Sequence, residues 1–128
     1  MSEAGSIRLT KALALLERLE RGALPRVVAN LDEFHPDAAE VLLGFSFHDV
    51  VLREGIDLKT REMLTVAMLS AMGTAPGQLE FHIRAAMNND VTRSEIVEII
   101  LQTAVYAGVP AAMNAIFEAK KVFAEAAS

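Results

Sequence analysis

"KTREMLTVAMLSAMG", residues 59–73, is apolar on nearly every side of the helix that it predicts. It shows none of the alternation between apolar and polar residues that marks a half-buried strand, and Gly73 ends the run. We therefore predict a helix from Leu58 to Met72. A helix of this kind must be covered on all sides. Its apolar residues are Met63, Leu64, Val66, Ala67, Met68, Leu69, Ala71 and Met72.

Proline and glycine divide the rest of the chain into further helical segments. No segment has the period of a strand, so the predicted fold class is all-α, with about six helices in a single domain, residues 1–128. Thr92 and Glu95 form a capping box that begins a second helix of almost wholly apolar character, which ends at Gly108. Short helices give limited internal cover, so we expect apolar surface to meet another subunit. Besides 58–72, the predicted segments are 6–21, a short one at 24–32, 36–53, 76–88, the one capped by Thr92, and one from Pro110 onward.

Composition excludes several functions. The 128 residues contain no cysteine, so disulfides, thiolate chemistry and cysteine-ligated metals are excluded. The net charge is −5 and the basic residues form no stripe, so nucleic acid is not an expected partner. The charged N-terminus lacks the apolar stretch of a signal peptide, and the uncharged run Ile99–Phe117 is interrupted by Gln102 and Asn114. We expect a cytoplasmic protein without a membrane span.

His82 is placed within an apolar helical stripe. Leu79, His82, Ile83 and Ala86 follow the spacing of one helix face. One interpretation is a core histidine with a single satisfied hydrogen bond. The other is a general acid or base in a partly dry pocket, since an imidazole changes charge near neutral pH.

Arg61 and Glu62 stand at the start of the 58–72 helix. A carboxylate is electrostatically favoured near a helix N-terminus, whereas a cation there gains nothing from the helix. Arg61 is therefore either one half of an exposed ion pair or a guanidinium that takes up a carboxylate, which it can bind through two hydrogen bonds.

Other polar residues give weaker signals. Gln102 and Tyr106 are four residues apart and could both face a pocket, although core packing is the alternative for Tyr106. The three histidines, His35, His48 and His82, lack the spacing of metal ligands. No phosphate-binding loop or dinucleotide fingerprint is present in the sequence, so we expect neither a metal nor a cofactor.

The 59–73 segment and "LEFHIRAAMNNDVTRSEIVEIILQTAVYAGVPAAMNA", residues 79–115, together resemble the carboxymuconolactone decarboxylase family. The resemblance is strongest over residues 34–123 and leaves 1–33 as an N-terminal helical extension. It implies an all-α, alkylhydroperoxidase-like fold and a homo-oligomer, usually a hexamer, with a trimer or dimer as alternatives.

The carboxymuconolactone decarboxylase family, which the sequence resembles, has two chemical branches. The alkylhydroperoxidase branch carries C-x-x-C-x-x-x-H with an upstream glutamate; here the cysteine positions fall on Ala75 and Gln78, while Glu62 and His82 match the remaining two. Without thiols, thiolate attack on a peroxide is excluded. The other branch decarboxylates 4-carboxymuconolactone in the β-ketoadipate pathway of aromatic catabolism and uses no cofactor.

For a decarboxylase of this kind, we expect His82 to be the catalytic acid that protonates carbon, with Glu62 orienting the imidazole. Arg61 would anchor a substrate carboxylate. Gln78, Tyr106 and His48 are the further substrate-binding candidates.

Three departures from the family pattern bear on this assignment. Glu62 is more typical of the alkylhydroperoxidase branch than of the decarboxylases. Asp90 stands where the family usually has glycine, which predicts a left-handed backbone there. His48 stands in a segment where the decarboxylases carry tryptophan. Two hypotheses therefore remain: a decarboxylase of a small carboxylated lactone, and a non-catalytic oligomeric binder or scaffold of the same fold. An enzyme should bring His82, Glu62 and Arg61 to one cavity.

Overall fold

The computed structural model describes residues 3–127, and every regular element in that range is helical. It contains seven α-helices and one π-helix, where the sequence predicted about six helices. Two changes account for the difference: the short segment after Gly22 is a full helix, and the predicted helix 36–53 is split into an α-helical and a π-helical part. The elements are α1 (Glu3–Leu19), α2 (Leu24–Phe34), α3 (Ala38–Leu43), the π-helix (Gly44–Val51), α4 (Leu58–Met72), α5 (Pro76–Asn88), α6 (Arg93–Ala107) and α7 (Val109–Ala127).

The chain divides into two compact units between Leu58 and Lys59, at the start of α4. In the first unit, α1 packs against α3 and the π-helix, and α2 packs on α3. The buried face of α1 follows helical spacing, while α2 buries none of its residues completely. The buried residues of α1 are Ala12, Leu15, Leu16 and Leu19.

The π-helix begins where Arg8 of α1 meets the backbone of α3. Nη1 of Arg8 donates to the carbonyl oxygen of Glu40 at 3.1 Å and to its carboxylate at 3.0 Å. A Cβ at Gly44 would collide with the Arg8 guanidinium, so glycine makes room for this contact. Side chains that insert beside a helical backbone are a known cause of local rewinding. The sequence pattern of 36–53 predicted the helix but contained no sign of this rewinding.

The second unit is built from α4 to α7, and α7 packs against both α5 and α6. Each helix contributes one buried stripe to a common core. The capping box is confirmed: the Thr92 hydroxyl accepts from the Glu95 backbone at 3.1 Å, and the Glu95 carboxylate accepts from the Thr92 backbone at 2.9 Å. Asp90 has φ = 76°, as the glycine-like position predicted. The core residues include Val66, Leu79, Ile83, Val91, Ile96, Ile100, Ala115 and Val122.

Large apolar side chains remain exposed on the outer faces of α4, α6 and α7. The prediction that α4 and α6 are apolar on more than one face is confirmed, because each helix has some apolar side chains packed in the core and others exposed. None of the helices in the described range is long and apolar enough to cross a membrane. The exposed residues include Leu64, Met68 and Met72 on α4, Val97, Leu101 and Val105 on α6, and Met113, Ile116 and Phe117 on α7.

Candidate active site

Glu62 and His82 meet across the second unit. Glu62 lies in the first turns of α4, on the same stripe as the buried Val66 and Ser70. His82 lies in the middle of α5, a helix that begins at Pro76, where the missing amide hydrogen of proline costs nothing. Nδ1 of His82 is 2.9 Å from Oε1 of Glu62.

The pair is almost completely withdrawn from water. The Glu62 side chain is 1% exposed and that of His82 is 12% exposed. A buried carboxylate needs a hydrogen-bond donor, because desolvation of an unpaired charge is costly. A carboxylate oxygen accepts, so the contact assigns the Nδ1 proton to the imidazole and leaves Nε2 as its second nitrogen.

A neighbouring ring helps to fix the imidazole. Phe81 lies edge-on to His82, with ring centroids 5.0 Å apart and an angle of 77° between the planes. Aromatic rings favour this geometry because the positive edge of one meets the negative face of the other. With Nδ1 held by Glu62, the ring orientation is determined on two sides. The pair can therefore hold a proton at a defined position, which is what general acid catalysis requires.

The remaining predicted residues of the second unit are placed differently. Arg61 precedes Glu62 on α4 and is half-buried, and successive helical residues do not face each other. Gln78 is exposed on α5, one turn before His82. The structure thus brings Glu62 and His82 into direct contact, whereas the convergence of Arg61 and Gln78 on them stays a prediction.

Core packing, one of the two roles predicted for Tyr106, is wrong for this chain. The Tyr106 side chain is 86% exposed, because the buried stripe of α6 runs through Ile96, Ile100 and Thr103. Tyr106 and Gln102 instead share one apolar groove of about 340 Å³ between α4 and α6, as their spacing predicted. The other residues lining this groove are Met63, Leu64, Ala67, Ala71, Ile99, Thr103 and Ala107.

His48 belongs to the first unit, on the π-helix. Its Nδ1 is 2.8 Å from Oδ1 of Asp49, and Asp49 is in turn paired with Arg8 of α1.

Three buried polar residues of the second unit escaped the sequence interpretation: Ser70, Glu118 and Thr103, whose hydroxyl donates to the carbonyl oxygen of Ile99 at 2.9 Å. Ser70 is 1% exposed and its hydroxyl has no hydrogen-bond partner. Glu118 is 6% exposed and accepts from Lys121 at 3.2 Å. Ser70 and Glu118 both line a small cavity of about 20 Å³. The sequence did contain a signal for Ser70: Glu62, Val66 and Ser70 are each four residues apart, which puts all three on one face of α4.

Over the residues that the structure describes, the fold is all-helical and contains a buried carboxylate–imidazole pair, in a chain whose sequence has no thiol. Residues 36–121 match the family model of the carboxymuconolactone decarboxylase family. The chain therefore belongs to that family.

Relatives with assigned names agree with this membership. The chain is 38% identical over 98 residues to the 4-carboxymuconolactone decarboxylase of Acinetobacter baylyi, which covers 77% of this chain and 72% of the relative. It is 34% identical over 92 residues to the nitrosuccinic acid decarboxylase of Metarhizium robertsii, covering 72% and 64% of the two chains. It is also 33% identical over 111 residues to a 15.0 kDa protein from the nqo9–nqo10 intergenic region of Paracoccus denitrificans, covering 86% and 78%.

Proposed function

We propose that this protein is a cofactor-free decarboxylase that acts on a small carboxylated lactone of the 4-carboxymuconolactone type, in the cytoplasmic breakdown of aromatic compounds. The observation that carries the proposal is the buried hydrogen bond of 2.9 Å between His82 and Glu62. Family membership and two relatives named as decarboxylases support the reaction class.

The chemistry requires an electron sink, and the substrate supplies it. When the bond between carbon and the carboxylate breaks, its electron pair moves into the unsaturated ring and the lactone carbonyl, which forms a dienolate, and carbon dioxide leaves. A proton from Nε2 of the His82 imidazolium then adds to carbon. The imidazole becomes neutral and keeps on Nδ1 the proton that it donates to Glu62, and solvent restores the Nε2 proton. General acid catalysis of this kind contributes about 10²–10⁴-fold.

The named substrates of the two relatives share a chemical feature. A carboxymuconolactone and a nitrosuccinic acid each carry more than one carboxylate and an electron-withdrawing group, a lactone in one case and a nitro group in the other. In our proposal the spare carboxylate is bound by Arg61, with Gln78 and Tyr106 as further substrate contacts. An arginine suits this role because its planar guanidinium pairs with both carboxylate oxygens.

We also propose that the protein is a homo-oligomer, with a hexamer as the expected form. Both α4 and α6 leave large apolar side chains exposed, and large exposed apolar patches are typical of interaction surfaces. Replacing Leu101, which is 54% exposed, by glutamate should dissociate the oligomer in light scattering. A wild-type chain that scatters as a stable monomer of 13.9 kDa at micromolar concentration would contradict this part of the proposal.

The function is tested by turnover of 4-carboxymuconolactone, measured as carbon dioxide release and as loss of substrate absorbance. Wild-type protein should turn it over, and His82→Gln should be at least about 10²-fold slower, since glutamine keeps a donor for Glu62 but cannot act as an acid. His35→Gln is the matched control: its side chain is 59% exposed and lies in the first unit, so its rate should equal that of the wild type.

The alternative hypothesis, a non-catalytic binder or scaffold, predicts a different result. Wild-type protein would then bind a carboxylated lactone without releasing carbon dioxide, and His82→Gln would change only stability. Equal turnover by wild type and His82→Gln would reject the role of His82 while leaving decarboxylation itself intact.

A further inference from the structure

The first unit contains a cavity that the proposed reaction does not use. It has a volume of about 420 Å³ and opens between one face of α1 and the end of the π-helix. This volume is within the range of sites for small molecules, roughly 300–1,000 Å³. Stretches of π-helix are rare, and they are frequent at functional sites. The residues that line the cavity are Lys11, Ala14, Leu15 and Arg18 on α1, His48 on the π-helix, and Leu52 and Arg53 after it.

A carboxylate fixes the tautomer of the histidine in this lining. Asp49 is held by Arg8 of α1, whose Nη2 is 2.7 Å from Oδ2 and whose Nε donates to Oδ1 at 3.0 Å. The hydrogen bonds from Arg8, and then the one from His48, hold the pKa of Asp49 well below its usual range, so its carboxylate is ionised and accepts. Oδ1 of Asp49 is 2.8 Å from Nδ1 of His48, and Nδ1 therefore carries a proton.

The second ring nitrogen of His48 is then a hydrogen-bond acceptor. In a neutral imidazole one nitrogen is protonated and the other has a lone pair, so a proton on Nδ1 leaves the lone pair on Nε2. In the part of the chain that the structure describes, Asp49 is the only hydrogen-bond partner of His48, which leaves Nε2 to accept from a bound molecule. The His48 side chain is 32% exposed, so a ligand in the cavity can reach it.

The lining favours a ligand that carries a hydroxyl group on an apolar body. An acceptor nitrogen requires an O–H or N–H donor, and apolar groups from Ala14, Leu15 and Leu52 line the same cavity. A phenol combines both features, because its ring is apolar and its hydroxyl is a polar group at one end. The phenolic hydroxyl is also more acidic than that of an aliphatic alcohol, which makes it the stronger donor.

We propose that this cavity binds a small phenol, whose hydroxyl donates to Nε2 of His48 and whose ring lies against Leu15 and Leu52. Recognition rests on the acceptor nitrogen and the apolar lining, and it requires no unpaired charge among the basic residues of the cavity. The site shares no residue with the Glu62–His82 pair and does not depend on the proposed decarboxylation.

Phenol and anisole are the matched probes, because anisole keeps the ring and the oxygen but has a methyl group in place of the hydroxyl hydrogen. Titration of the full chain, followed by NMR, should show phenol binding in roughly the millimolar range, since a ligand of so few atoms gains little free energy. Anisole should bind about three- to tenfold more weakly, which corresponds to one hydrogen bond. Failure to bind phenol, or equal binding of anisole, would overturn the inference. Tighter binding of benzoate would also overturn it, because charge would then select the ligand.

Substitutions assign the binding to this cavity. His48→Phe keeps an aromatic ring without an acceptor and should reduce phenol binding to the level of anisole. Ala14→Leu should weaken the binding of both probes, because Ala14 is exposed on α1 and a larger side chain there fills part of the cavity. His35→Phe is the matched control: its side chain is 59% exposed and does not line the cavity, so phenol binding should be unchanged. His82→Gln should leave it unchanged too, and loss of binding in that variant would assign phenol to the proposed catalytic pair and overturn the inference.

The nitrogen resonances of the imidazole rings test the proposal in the wild-type protein. Nδ1 of His48 should carry a proton with and without phenol, and phenol should move the Nε2 resonance of this ring and not those of the other two histidines. A neutral His48 with its proton on Nε2, or a shift at His82 in place of His48, would overturn the proposal even if His48→Phe does not fold.

Discussion

Replacing His82 by leucine should destabilise the protein far more than replacing His82 and Glu62 together. In the single variant, a carboxylate whose side chain is 1% exposed loses the imidazole that donates to it at 2.9 Å. Removing one partner of a buried ion pair costs about 3–5 kcal/mol, because the other charge is left without compensation. For a chain of this size that corresponds to a melting temperature lowered by about 10–20 °C.

The double variant Glu62→Leu/His82→Leu should recover most of this loss. Apolar side chains of similar volume in place of a buried pair are often neutral or even stabilising by about 1–4 kcal/mol. Glu62→Leu alone leaves an imidazole that can remain neutral, so its cost should be the smaller of the two single replacements. The two effects should therefore couple strongly in a double-mutant cycle.

Urea denaturation gives the required free energies of unfolding. All four proteins should be compared at one protomer concentration, since assembly adds to apparent stability by mass action. Equal slopes against urea concentration are needed before midpoints are compared. A cost below about 1 kcal/mol for His82→Leu, or single effects that simply add in the double variant, would refute the assignment of a buried, compensated pair.

Three further substitutions test features of the second unit. Asp90→Gly should raise the free energy of unfolding by roughly 0.5–1 kcal/mol, because Asp90 has φ = 76° and glycine adopts that region without strain; a lower urea midpoint would contradict this. Ser70→Ala should be neutral or stabilising by up to about 1 kcal/mol, because the buried hydroxyl has no partner, and a loss larger than that in urea denaturation would show that it is bonded. The backbone amide of Thr92, and then Lys59, lower the pKa of Glu95, so its ionised form stabilises the fold above the usual carboxyl range and this contribution is lost as pH falls through the lowered value. The melting temperature of Glu95→Gln should therefore be below that of the wild type near neutral pH, and this difference should be smaller near pH 3. An equal difference at both pH values would contradict this.

The helix boundaries of the second unit could be predicted because the signals that set them are local. Pro76 begins α5, Gly73 and Gly108 follow the ends of α4 and α6, and Thr92 with Glu95 caps α6 through bonds between near neighbours. The face of α5 that carries His82 also follows from the spacing of its own apolar residues. In each case the interacting groups are within one helix or at its ends.

The rest depends on contacts between distant parts of the chain. The hydrogen bond of His82 joins residues 20 positions apart, and Arg8 meets Asp49 across 41 positions, so neither has a local signature. A second contact of Arg8, with the carbonyl oxygen of Glu40, accompanies the π-helix that interrupts the predicted helix 36–53. Tyr106 shows a different limit: an apolar pattern marks residues for removal from water but does not distinguish a chain's own core from a surface that a partner covers.

Stability does not by itself account for a buried carboxylate–imidazole pair at the centre of the second unit. Such a pair is at best about equal to well-packed apolar side chains in its effect on folding. The pair does provide a proton at a defined position. Glu62 accepts from Nδ1 and Phe81 contacts the ring, so Nε2 is the nitrogen that can gain and lose a proton. The double leucine variant separates the two roles. If the pair serves catalysis, that protein should fold nearly as well as the wild type and release no carbon dioxide from 4-carboxymuconolactone above the level of His82→Gln.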